Sequence, residues 1–144
     1  MSYWDTSALV KLYAIEPDSG DFIARSLAAP PLHTCRLAEY ELRATLRRKE
    51  AEGVLTAGAT ESFLLEFQGD HLLDAIVIHE ESDATRAIYE EVLEKCYTQS
   101  PPVFVRTADA IHIATALAVG EQDFITADAR QRRAAEVCGL TVQP

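Results

Sequence analysis

SYWDTSALVKLY, residues 2–13, holds the repeating unit of the fold in miniature. Residues 2–6 read as a short strand with Asp5 at its end, and residues 7–15 as a helix carrying apolar Leu9, Val10, Leu12 and Tyr13. A strand that passes straight into a helix is the building block of a parallel sheet. The rest of the chain repeats the alternation. Short apolar runs read as strands at 33–35, 73–78, 123–126 and 140–142, with a brief β-like run at 103–105.

Helical patterns lie between them. The EPDSG break at 16–20 leads into a helix to about residue 27, capped by Asp18 or Ser19 and ended by Ala29-Pro30-Pro31. Others run over 37–52, stopped by Gly53, and over 57–67, stopped near Gly69-Asp70. Residues 82–97 form a polar amphipathic helix broken at Ser100-Pro101-Pro102, 107–118 a helix with Thr107 as its cap, and 129–137 a last helix stopped by Gly139. The expectation is an α/β fold: one domain over 1–144, built as a three-layer α/β/α sandwich around a parallel sheet.

Composition narrows the class. The 144 residues are 48% hydrophobic and 25% charged, as in an ordinary globular domain. With 23 acids against 13 Lys and Arg, the formal net charge is -10. That sign opposes a plain nucleic-acid-coating module, but not an enzyme that meets a phosphodiester through bound cations. Cys35, Cys96 and Cys138 are odd in number and widely spaced, as expected of reduced thiols. With no secretory leader and no span of 18 apolar residues, the expected location is the cytoplasm and no membrane partner is expected.

Four carboxylates stand out. Ligands of open parallel sheets bind beyond the carboxyl ends of strands, where Asp5 and Asp128 fall. Either acid also suits a helix cap. In isolation Asp128 reads as a cap, whereas the neighbouring Thr6 and Ser7 offer to cap in place of Asp5 and free its carboxylate. Asp109 sits in the first turn of a helix apolar nearly all round. The helix dipole favours it there, yet a buried acid needs a partner. His112 on the same helix reads as a satisfied core histidine. Stepping about 100° per residue from Leu37 puts Glu41 within an apolar arc and Glu39 at its edge, so Glu41 is the functional candidate and a salt bridge to Arg48 its competing explanation. Four acids converging on one cavity repel one another unless a cation binds. An all-oxygen shell suits Mg²⁺ or Mn²⁺ rather than zinc, and the chemistry implied is phosphodiester hydrolysis.

Among basic residues, Lys11 and Arg106 flank the proposed site and are the candidates for phosphate contact. Arg132 and Arg133 read as a solvated face. Tyr3, Trp4 and Tyr13 offer stacking surfaces but read as core, and Tyr40 is expected to pack.

YWDTSALVKLY (3–13), TCRLAEYELRATLRR (34–48), RTADAIHIATAL (106–117) and FITADARQRRAAEVCGL (124–140), in that order, resemble the PIN-domain family, and within it the VapC toxins of bacterial VapBC toxin–antitoxin pairs. The resemblance covers nearly the whole chain. It implies a metal-dependent endoribonuclease with a four-acid site, falling by position on Asp5, Glu41, Asp109 and Asp128. Asp5 and Asp109 would hold Mg²⁺ (or Mn²⁺), Glu41 and Asp128 would act through water or on a second ion, and Ser7 and Thr126 would support them. A homodimer, an RNA substrate and a cognate antitoxin that blocks the site are further implications. The family also includes RNA-processing nucleases with no toxin role, and members with no clear activity. An aspartate-nucleophile phosphatase would want a second acid two residues after Asp5, where this chain has Ser7. A partner-binding domain that had lost activity would be expected to lack one of the four acids.

Overall fold

In the computed structural model, which describes residues 1–143, five strands form one sheet: β1 (Ser2–Trp4), β2 (Leu32–Cys35), β3 (Ile76–His79), β4 (Asp123–Ile125) and β5 (Thr141–Gln143). Their spatial order is β3-β2-β1-β4-β5, and every pairing is parallel. Seven helices connect them: α1 (Thr6–Tyr13), α2 (Ser19–Ala28), α3 (Leu37–Ala51), α4 (Ala59–Leu72), α5 (Asp83–Tyr97), α6 (Thr107–Ala118) and α7 (Ala129–Val137).

Side-chain alternation along the strands builds two cores. Tyr3 and Phe124 lie opposite each other on β1 and β4 and stack at 5.4 Å on one face. There they join Ala110, Ile113 and Ala114 of α6, Val92 and Cys96 of α5, and Ala134 and Ala135 of α7. Trp4 and Ile125, one residue further on, turn to the other face, against Leu9, Phe22, Leu42, Leu46, Leu64 and Phe67 of α1–α4. Both faces are thus covered, as the near-continuous apolar strands require. The three-layer sandwich expected from the sequence is present.

The strand order has a functional consequence. Connections from β1 and β4 run to opposite sides of the sheet, so a crevice opens between their carboxyl ends. Asp5 follows β1 and Asp128 follows β4, which puts both at that crevice.

Several local expectations need correction. Residues 103–105 are no strand. The Val103 amide donates to the Cys96 carbonyl, and Val103 and Val105 pack on the second core without a neighbouring strand to pair with. The fourth helix continues through Gly69 to Leu72, and the following strand begins only at Ile76, after Asp74 turns the chain at φ 57°. Thr107 is the first residue of α6 rather than its cap. Tyr40 is 69% exposed, because α3 buries Ala38, Leu42 and Leu46 and Tyr40 lies on the opposite side of that stripe. Tyr3, Trp4 and Tyr13 are buried core residues.

Candidate active site

Asp5 is 1% exposed and is itself the N-cap of α1. Its Oδ1 accepts the Ala8 amide at 2.9 Å, so the expectation that Thr6 or Ser7 would cap in its place fails. Thr6 points to Glu41 instead, and Ser7 points back at Asp5. The Ser7 hydroxyl lies 2.8 and 2.9 Å from the two Asp5 oxygens, and Thr126 Oγ1 donates to Oδ2 at 2.7 Å. Both hydroxyls also accept backbone amides, Ser7 from Ala127 and Thr126 from Asp128. They therefore lace the start of α1 to the β4–α7 loop. Burial pushes the Asp5 carboxyl above the usual carboxylate range, against the opposing pull of His112, the Ala8 amide and the two hydroxyls.

Asp128 caps α7 through Oδ1, which accepts the Arg130 amide at 2.8 Å, while its Oδ2 is turned to Arg106 at 2.9 Å. The sequence posed cap and site residue as alternatives; the two oxygens make them compatible. Burial works against its charge, but the Arg130 and Gln131 amides and the Arg106 and Arg130 guanidiniums hold the carboxyl below its usual range. Asp109, 7% exposed in the first turn of α6, receives Arg106 bidentately, Nε on Oδ2 at 2.7 Å and Nη2 on Oδ1 at 3.1 Å. One guanidinium thus bridges two of the four acids.

Glu41 differs from Glu39 by its partners. Their side chains are nearly equally exposed, 31% and 33%, so the apolar-arc argument does not separate them. Glu39 pairs with Arg36 on the surface at 2.6 Å. Glu41 Oε2 accepts Thr6 Oγ1 at 2.7 Å and faces His112 Nε2 at 2.7 Å; Arg48 is not its partner. His112 is a satisfied core histidine, as expected, with Tyr3 Oη 2.9 Å from Nδ1 and Cys35 Sγ at 3.5 Å. Burial opposes its charge, yet Cys35, Glu41 and Asp5 push the imidazole up to about 10. The same contact draws Glu41 below the usual carboxylate range despite its desolvation. Thr6 and the coupling of His112 to Glu41 were not foreseen. They join residues 35 and 71 positions apart in the chain, and no local pattern marks such pairs.

Asp5, Glu41, Asp109 and Asp128 all line one cleft of about 550 Å³. Lys11 and Arg106 line it too. Among the described residues, no three His, Cys, Asp or Glu side chains form a ready-made metal cage. Mg²⁺ rarely needs one, since it takes one or two carboxylates and completes its shell with water and phosphate.

The family model of the PIN domain matches residues 2–137. The chain belongs to the PIN-domain family. Among curated PIN-family relatives, it is 33% identical to Ribonuclease VapC35 of Mycobacterium tuberculosis over 149 aligned positions, 99% of this chain and 95% of that one. The PIN fold is also seen in solved structures. FitAcB from Neisseria gonorrhoeae superposes with a TM-score of 0.73 at 19% identity, covering 100% of this chain and 97% of the other. Mycobacterium tuberculosis VapC20, described as a sarcin-ricin loop cleaving toxin, gives 0.67 at 17% identity over 93% and 95%. Among the described residues, no helix is long and apolar enough to cross a membrane.

Proposed function

We propose that this protein is a Mg²⁺- or Mn²⁺-dependent endoribonuclease that acts as the toxin of a type II toxin–antitoxin pair. The observation that carries the reading is the gathering of Asp5, Glu41, Asp109 and Asp128 in one cleft at the sheet's switch point, in a PIN-domain chain similar to a named ribonuclease.

The donor set fits a hard cation. Asp5 and Asp109 supply oxygen only, and the bridging guanidinium of Arg106 marks where the cluster already requires positive charge. In this reading Asp5 and Asp109 hold the ion. Once bound, it would supply an activated water and neutralise charge on the transferring phosphoryl group.

The remaining steps belong to the chain. Ser7 and Thr126 fix the Asp5 carboxylate, so its oxygens enter the cleft preorganised. Glu41, kept ionised by His112 and Thr6, accepts a hydrogen bond from the attacking water and orients it. Asp128 orients a second water from the other wall. Arg106 leaves its carboxylates for the substrate phosphate, and Lys11 makes a second phosphate contact. A cognate antitoxin that covers the cleft, and a homodimer, complete the proposal. The structural relative from Rickettsia felis is VapBC2 bound to a fragment of its promoter, and α4 exposes Leu65 and Leu72 for self-association.

Purified protein incubated with RNA and Mg²⁺ or Mn²⁺ should cleave it. Asp5→Asn and Asp109→Asn should not, and chelation should stop the wild type. Ser7→Ala and Thr126→Ala should retain cleavage reduced about 10–100-fold, as is typical when a ligand's supporting hydrogen bond is lost. Equal cleavage by wild type and Asp variants, or activity that survives chelation, would sink the assignment.

A further inference from the structure

The cleft does not end at the acids. Its far wall is built by Lys11 near the end of α1, by Glu16 in the loop that follows, and by Arg48 and Lys49 in the last turns of α3. Two features of this wall are unusual.

The first is a lysine pair sharing one carboxylate. Glu16 Oε2 takes the Lys11 ammonium, and its Oε1 takes the Lys49 ammonium. Lys11 and Lys49 side chains are only 13% and 19% exposed, although lysine ordinarily stands in solvent. Two ammoniums this enclosed repel each other unless an anion lies between them. Glu16 is that anion, held below the usual carboxylate range by Lys11 and then Lys49; Lys11 has a second carboxylate partner in the exposed Asp18, at 2.9 Å. A phosphodiester presents the same pattern: a single negative charge spread over two oxygens at nearly a carboxylate's spacing.

The second feature is Arg48. It is exposed, it lines the same wall, and among the described residues it forms no ion pair. Arg43 and Arg47, on the outer side of α3, both pair with Glu61 away from the cleft. In a chain of net charge -10, a free guanidinium beside a lysine pair inside the cleft that holds the acids is a local reversal of sign.

Resting on the nuclease reading above, we infer that Lys11, Lys49 and Arg48 form an anchoring subsite for a backbone phosphate of the RNA strand flanking the one cleaved. Glu16, with Asp18 on Lys11, occupies the subsite until the strand displaces them. The subsite fixes the strand along the cleft, with the basic wall holding one phosphate while the acids meet another. It reads no base, so it contributes affinity and positioning rather than sequence preference.

The test separates binding from cleavage. Full-length protein carrying Asp5→Asn is titrated against a fluorescent single-stranded RNA, with anisotropy read from low to high salt. Arg48→Ala and Lys49→Met, each added to that background, should weaken binding about fivefold at 0.1 M salt and flatten the salt slope by about 0.7 for each lost phosphate contact. Glu16→Gln should tighten binding, because a neutral side chain no longer competes for Lys49, while Asp18 still holds Lys11. Arg47→Ala on the same helix, outside the cleft, changes net charge equally and should leave both quantities unchanged. Arg48→Ala alters an exposed side chain, so it reports even if the Lys49 variant folds poorly. If Arg48→Ala and Lys49→Met bind like Arg47→Ala, in a protein whose wild type cleaves RNA, the subsite is refuted and the nuclease reading stands. If the wild type neither binds nor cleaves RNA, both fall together.

Discussion

At the scale of single residues, Asp5 shows how the site is held against its own stability. Its carboxylate is enclosed and accepts three protein hydrogen-bond donors, yet burial still raises its pKa. An acid whose folded pKa lies above its unfolded value costs stability as pH rises from the unfolded pKa through the folded one, and the cost is fully developed above both. Asp5→Asn removes that cost. Asn keeps an oxygen for the Ala8 amide, and the Ser7 and Thr126 hydroxyls can rotate to accept its NH₂. The variant should therefore melt higher than wild type near pH 8, with the gap closing toward pH 4. A gap that is absent, or that widens in acid, would contradict this account. Asp5 and Asp128 were legible as strand-end acids, because the strand–helix junctions are written locally. That Asp5 serves as its own cap was not legible, since Thr6 and Ser7 offer equivalent capping chemistry and only the tertiary pull of Glu41 and Asp128's loop decides between them.

At the scale of elements, the sequence signal was strongest where burial is one-sided or complete. The helix α6 stands as read, and β1 and β4 lie where they were expected but end at Trp4 and Ile125, with Thr6 already in α1 rather than in the strand. It failed where a punctuating residue was overruled. Gly69 did not stop α4, and the apolar run 103–105 built a packed loop whose Val103 amide bonds to the Cys96 carbonyl instead of to a strand. The α4 case makes an opposed pair of expectations. Gly69 is helical, and a Cβ there meets nothing within 4 Å, so Gly69→Ala should stabilise the protein by about 0.5–1 kcal/mol through reduced freedom of the unfolded chain. Gly58, immediately before α4, has equally open space but sits at φ 85°. Gly58→Ala should destabilise by about 1 kcal/mol. Urea midpoints of the two variants should move in opposite directions at unchanged slope. Movement in the same direction would show that α4 does not hold its N-terminal turn or its last turns in solution.

At the scale of the whole molecule, the sheet order, the cleft and the charge belong to one arrangement. The switch between β1 and β4 opens the crevice, and α1 and α3 on one face of the sheet and α6 and the start of α7 on the other each bring one acid to it. The parallel α/β class and the chemistry of the acids could be read from the sequence, but their convergence depends on strand order, which connects segments more than a hundred residues apart. Arg106 is where this arrangement can be tested. It ties Asp109 on α6 to Asp128 at the start of α7, neutralising part of the cluster from within the chain. A divalent cation at Asp109 must displace that guanidinium, so the two compete for the same charge. Wild-type protein should melt higher in Mn²⁺ than after chelation, by an increment that grows with concentration as RT ln(1 + [Mn²⁺]/Kd). Arg106→Gln should melt lower than wild type without metal, because the cluster has lost its cation, and should show the larger Mn²⁺ increment with tighter Kd by calorimetry. Asp109→Asn should abolish most of the increment in both backgrounds. If Arg106→Gln weakens Mn²⁺ binding, the arginine helps to hold the acids in place for a cation rather than competing with it, and the proposed competition fails.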